Sequence, residues 1–179
     1  MLSPFSFLKV DIDGYDAAVV KAILLKGYQP LNIKVEINAK VPPPIVFCLA
    51  YSTTWNYQGD HFYGCSLQGW VDLLGSMGYT LSAVKANDAW FTFHGKGIDV
   101  REAYSSGYVS VAKKDFPWNS NVHFWNDLPS DGVAQLNAVK KFMMETETFK
   151  ANDYIVRDDT GAFTDLIPGS VYLYKSYTK

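Results

Sequence analysis

This chain of 179 residues is short of charge and of cysteine. Charged side chains make up 19% of it, against ~25% in ordinary soluble domains. Their signs nearly cancel, 16 Lys and Arg against 18 Asp and Glu, which excludes the basic footprint of a dedicated nucleic-acid binder. No apolar run approaches the ~18 residues of a membrane span, so no membrane span is expected. The two cysteines, Cys48 and Cys65, are too few for a disulfide framework. With His61 they imitate a zinc triad, but no fourth ligand is in sight; no metal and reduced, buried thiols are expected. Met1 to Pro4 show neither the basic n-region nor the apolar h-region of a signal peptide, and with reduced thiols this points to a cytoplasmic protein. Repeats and low-complexity tracts are absent.

What is present is apolar and aromatic: 48% hydrophobic and 16% aromatic residues, in a length that suits a domain with a real core. That combination suits surfaces covered by further chain, a partner or a substrate. Phe5 to Ile12 reads as a strand with apolar groups on both faces, the pattern of a strand buried in the middle of a parallel sheet. Asp13-Gly14 makes a turn, and Asp13 or Tyr15-Asp16 opens a helix running to about Lys26, with Val19, Val20, Ile23 and Leu24 inward. Gly27 ends that helix, and Leu31 to Asn38 alternates as a second strand. Strand, helix and strand at this spacing form a βαβ unit.

From Ala39 to Cys65 the pattern breaks into a long loop carrying Pro42-Pro43-Pro44 and then Trp55, Tyr57, Phe62 and Tyr63, read as a packed lid. Ser66 caps a helix over Leu67 to Met77, ended by Gly78. Thr80 to Lys85 and Ala89 to His94 form an antiparallel hairpin joined by Ala86-Asn87-Asp88. Two regions follow: 1–94, an α/β unit, and 95–179, an appended aromatic-rich α+β tail or small subdomain. In the tail, Tyr108 to Ala112 reads as a short strand and Phe116 to Asp127 as an aromatic loop. Asp131 caps a helix over Val133 to Glu145, and Asp158 to Gly161 is a turn between two short strands. A doubly apolar first strand is out of place at a sheet edge, so further strands, folded back or belonging to a preceding segment, are expected beside it.

Phe7-Leu8-Lys9-Val10-Asp11-Ile12-Asp13-Gly14-Tyr15-Asp16, then a helix, Val35-Glu36-Ile37-Asn38, and a helix from Ser66-Leu67 to Gly78-Tyr79 resemble the FkbM-like methyltransferases over residues 5–94. That family is S-adenosylmethionine-dependent and Rossmann-like. Its pattern is a strand ending in Asp-x-Glu-Gly, a strand ending in Glu-Ile, and a helix ending in Gly-Tyr before the last two strands. Asp13 stands where the family usually has Glu, and the family's glycine-rich loop and second-strand acidic residue have no counterpart here. The resemblance therefore implies the C-terminal half of a Rossmann-like methyltransferase sheet, a parallel βαβ plus an antiparallel hairpin. It also implies a chain that lacks the cofactor-gripping half and is inactive alone.

Ligands of open α/β sheets sit beyond the carboxyl ends of the strands, which selects Asp11, Asp13, Glu36 and Asn38. Methyl transfer to oxygen needs alignment and a base, giving Asp11, Asp13, Glu36 and His61 as candidate catalytic residues. The resemblance adds Asp11 and Asp13 as contacts to S-adenosylmethionine. Asn38, Trp55 and Tyr63 are candidate contacts to a small-molecule or glycan hydroxyl acceptor. Most of these have a plainer reading as well. Asp13 suits a turn or helix cap, Asp11 can satisfy strand-end donors, and His61 is a loop histidine. Trp55 and Tyr63 equally suit a lid core, whereas a buried Glu36 would need a partner. Two other functions compete: a metal-dependent nucleotide-sugar glycosyltransferase using Asp11-Ile12-Asp13, and a non-catalytic module that pairs with a partner through an exposed sheet edge.

Overall fold

A computed structural model describes residues 5–43, 46–49, 63–110, 154–157 and 163–164. Strand β1 (Phe7–Val10), helix α1 (Asp16–Leu25) and strand β2 (Asn32–Glu36) form the expected βαβ unit. β1 and β2 pair in parallel, with Phe7 opposite Asn32 and Val10 opposite Val35. The chain continues through β3 (Val46–Leu49), α2 (Leu67–Gly75), β4 (Tyr79–Lys85), β5 (Asp88–Phe93) and α3 (Val100–Tyr104). A π-helical turn, Ser105–Val109, and strands β6 (Tyr154–Arg157) and β7 (Phe163–Thr164) complete the described elements.

The result is an α/β fold with an open mixed sheet of order β1-β2-β5-β4. β5 runs antiparallel to both neighbours, so β4 points the same way as β1 and β2. The hairpin is as expected, but its loop is only Ala86-Asn87, because Asp88 already pairs with Lys85. Ser66 caps α2 as expected, its hydroxyl accepting the Gly69 N–H. The core lies between this sheet and its helices, with Ile33, Val35, Phe91 and Leu81 from the strands meeting Trp70, Leu73 and Leu74 of α2.

Several expectations are overturned. Among the described residues β1 pairs only with β2, and Phe7 (51%) and Ile12 just beyond it (53%) are exposed, so the strand expected on its other side is not among them. Val19 is not inward but 38% exposed, because α1 buries Asp16, Ala17 and Val20 instead. The stretch after the prolines is not all loop, since Val46–Leu49 is a fully buried strand, paired antiparallel with β6. The two short strands expected near the end of the chain are β6 and β7, an antiparallel pair, and the expected 158–161 turn lies outside the described residues.

The cysteines are not reduced. Cys48 and Cys65 form a disulfide, since an antiparallel bridge between them brings their Cα atoms to 4.0 Å. Nor is Tyr108 in a strand: Tyr108 and Val109 belong to the π-helical turn, where Tyr108 packs on Tyr104 with ring centroids 5.5 Å apart. Gly107 allows this path, because a Cβ there would collide with the Val84 carbonyl. Ala103 and Tyr104 of the tail join the same core as buried residues, with Val100 packed against it, and the Tyr104 hydroxyl donates to the Ala39 carbonyl at 2.6 Å. The 116–127 loop and the 133–145 helix lie outside the described residues. Among the described residues no helix is long and apolar enough to cross a membrane.

Candidate functional site

β1 and β2 end side by side because they are parallel neighbours, so the polar residues that follow them share one rim. After β1 the backbone turns sharply through Asp13, whose φ of 54° is left-handed, a conformation Asp tolerates better than most residues. Asp16 holds that turn. Its carboxylate is 1% exposed and accepts the N–H groups of Ile12 and Gly14, each at 3.0 Å. Asp11 and Asp13 remain exposed on the outside of the turn, and Asp11 pairs with Lys9 at 2.9 Å. The Asp11 carboxylate pushes the Lys9 ammonium above its ordinary value, through their hydrogen bond and opposite charge.

Glu36 is held from two sides, by Trp70 and by Asn87. The Trp70 indole donates to its carbonyl at 2.9 Å, tying the end of β2 to α2. The Asn87 amide donates to Oε1 at 2.7 Å, and the Asn87 carbonyl accepts the next N–H, that of Ile37, at 2.7 Å. One carboxylate oxygen from each of Asp11, Asp13 and Glu36 lies within 4.8 Å of the others. Burial pushes the Glu36 carboxyl up to about 7; the Asn87 hydrogen bond opposes this, and the charges of Asp11, Asp13 and Asp16 add to it. An acid that changes protonation near neutrality is suited to accept a proton at physiological pH.

The other expected site residues are not all brought together here. Asn38 is fully buried: its amide donates to the Tyr63 carbonyl at 3.0 Å and its Oδ1 accepts the Lys40 N–H at 3.2 Å. Tyr63 is half-buried, with the Lys40 ammonium 5.0 Å from its ring centroid. Asn38 thus shapes the segment leading to α2, as a buried, hydrogen-bonded polar group. His61 and Trp55 lie outside the described residues. Sequence reading missed Asp16 as the residue that forms the turn, and Asn87 and Trp70 as the partners of Glu36. An Asp two residues past Asp-Gly at a helix start was the one signal available for Asp16. For Asn87 none existed, because its contact spans 51 positions.

A cavity of about 220 Å³ among Leu24, Tyr28, Met77 and Tyr79 opens at the opposite, amino end of β2, away from the carboxylates. Compared with models of known protein families, with curated proteins and with solved structures, the chain has no match. Fold and site together define an α/β domain with an acidic cluster at the carboxyl ends of two parallel strands.

Proposed function

We propose that this chain supplies the acceptor side of an S-adenosylmethionine-dependent O-methyltransferase of FkbM-like type, with Glu36 as the general base. The observation that carries this assignment is the convergence of Asp11, Asp13 and Glu36 where two parallel strands end, with Glu36 titrating at about 7. A parallel βαβ followed by a hairpin folded back on its second strand supports it, being the arrangement expected of the second half of such a sheet.

The donor set fits the cofactor. A sulfonium is a cation, and three carboxylates, with Lys9 paired to Asp11, make a favourable place for one. When bound, S-adenosylmethionine supplies the electrophilic methyl group. Asp11 and Asp13, exposed and acceptor-only when ionised, would take hydrogen bonds from its hydroxyl or amino groups. Ionised Glu36 would accept the proton of a small-molecule or glycan hydroxyl as that oxygen takes the methyl group; the carbon–sulfur bond breaks, and the products are neutral Glu36, a methyl ether and the departing neutral thioether, S-adenosylhomocysteine.

The same assignment accounts for the surface. Phe7, Ile12, Val19, Leu25, Tyr28 and Leu31 are all large, apolar and exposed, and all belong to β1, α1 or the turns beside them. A strand edge and a helix face left apolar together suit a further strand and helix, the half of the sheet with the glycine-rich cofactor loop. Without it, the 179-residue chain is expected to bind S-adenosylmethionine only weakly and to be inactive alone.

The test is nuclear magnetic resonance titration of the chain with S-adenosylmethionine. Millimolar cofactor is expected to shift Asp11 to Gly14 and Glu36 and little else. No shift at those residues overturns the assignment, and micromolar affinity overturns the divided site. Shifts produced instead by manganese with a nucleotide sugar would favour the glycosyltransferase reading of Asp11 and Asp13. A stable dimer with no response to either ligand would favour the non-catalytic module.

A further inference from the structure

Residues past Gly95 lie outside the methyltransferase resemblance, yet one of their turns is linked to the acidic rim through hydrogen bonds. The Gly107 carbonyl, in the π-helical turn, accepts the Ala86 N–H at 2.9 Å. Ala86 is the first residue of the two-residue hairpin loop and sits at φ 52°, a left-handed conformation alanine rarely adopts. Asn87 follows it and bonds the last residue of β2 and the one after it, through its amide to Glu36 Oε1 and through its carbonyl to the Ile37 N–H, both at 2.7 Å. Gly107 itself is packed so tightly against the backbone at Val84 that no side chain fits. The π-helical turn therefore braces the back of the hairpin, and the hairpin holds Glu36.

We propose that Asn87 is a positioning residue for Glu36, and that the 100–110 segment braces it, so that the tail tunes proton binding at the rim. Asn87 fixes Oε1 of Glu36, and a Glu36 carboxylate oxygen lies within 4.8 Å of oxygens of Asp11 and Asp13. This rests on Glu36 being the working acid, but it concerns only how Glu36 is held.

The groups that act on Glu36 are few. Asp11 just past β1, Asp13 in the turn and Asp16 at the start of α1 all raise its proton affinity, and the Asn87 hydrogen bond lowers it. Lys9 also lies within electrostatic reach. The Asn87 amide donates to the ionised form best, so its loss favours the protonated form.

The experiment follows the Glu36 carboxyl by nuclear magnetic resonance from pH 4 to 9, in the full chain and without ligand. Asn87→Ala is expected to raise the midpoint by about half a pH unit, and Asn87→Asp to raise it further by adding a like charge. Gly107→Ala, which forces the brace away from Val84, is expected to move it upward as well, while Ser110→Ala on the same segment leaves it in place. A general loss of stability would not reproduce that order. If the midpoint is unchanged in Asn87→Ala, the positioning role is overturned. If Asn87→Ala moves it and Gly107→Ala folds without moving it, the brace is overturned. Cofactor is absent from the experiment, so a failed methyltransferase assignment leaves its outcome intact.

Discussion

Asp16 closes the turn at Gly14, its Oδ2 accepting the Gly14 N–H at 3.0 Å while Oδ1 takes that of Ile12. These two backbone donors lie between Asp11, Asp13 and the start of α1, so one buried carboxylate sets where two exposed ones point. Hydrogen bonds to a charged partner contribute about 1.5–3 kcal/mol, and deletion leaves the donors unpaired. Asp16→Ala is expected to destabilise the chain by about 2–3 kcal/mol, Asp16→Asn by less. Urea denaturation measures both; equal stability of Asp16→Ala and the parent would show that the turn holds without it.

Glu36 makes stability depend on pH in a defined direction. Its folded value of about 7 lies above the ordinary 4.5, so between those two pH values the folded chain binds more protons than the unfolded one. Stability from this group is complete below about pH 4.5, declines as pH rises to about 7, and is level above that. Glu36→Gln keeps a neutral, hydrogen-bonding side chain at every pH. It is expected to match the parent at pH 4 and to exceed it in melting temperature at pH 8. A parent that gains on the variant as pH rises would reverse the sign and refute the raised value.

The Cys48–Cys65 disulfide closes a loop of sequence separation 17. Chain entropy for such a loop is worth about 3 kcal/mol. Because these are the chain's two cysteines, mass spectrometry after alkylation without reductant is expected to find no free thiol. Cys48→Ser with Cys65→Ser is expected to lower stability by about 2–4 kcal/mol. Free thiols in the oxidised, folded protein would contradict the pairing.

Gly69 lies against that bridge. A Cβ there would stand 2.6 Å from both sulfurs, and the bond between them prevents either from swinging clear. Alanine is the better helix former by about 1 kcal/mol, but overpacking costs about 1–3 kcal/mol. Gly69→Ala is therefore expected to destabilise, and a higher melting temperature would show that α2 can shift away.

Ala86 carries the opposite opportunity. Its left-handed φ of 52° costs a side-chain-bearing residue roughly 1 kcal/mol relative to glycine. Ala86→Gly is expected to stabilise by about 0.5–1 kcal/mol in thermal or urea melts, and destabilisation would mean the hairpin loop is not strained.

The parts of this fold readable in sequence are those whose causes are local. Asp13-Gly14, the alternation of Ile33 and Val35, Ser66 ahead of a helix, and Ala86-Asn87 between two strands each act within a few residues. So did the prediction that Asp11, Asp13 and Glu36 share a rim, since parallel neighbours in a βαβ unit end together. What could not be read depends on distant partners. Val46–Leu49 is a strand because 154–157 pairs with it, and three prolines just before it argued for loop. Tyr108 has a strand former's chemistry, yet packing on Tyr104 and the space only Gly107 allows put it in a helical turn. The pairing of Cys48 with Cys65 arose from the position of β3, not from any spacing rule.

The pairing of β3 with β6 has a consequence during synthesis. Every strand of the four-stranded sheet has been made once Phe93 leaves the ribosome, whereas Val46–Leu49 must wait for Tyr154–Arg157. Throughout that interval Val46, Phe47, Cys48 and Leu49 form a short apolar segment with an incomplete ladder, the kind of segment that nascent chains aggregate through and chaperones bind. Translation speed across the region between them thus sets how long the newborn protein remains vulnerable.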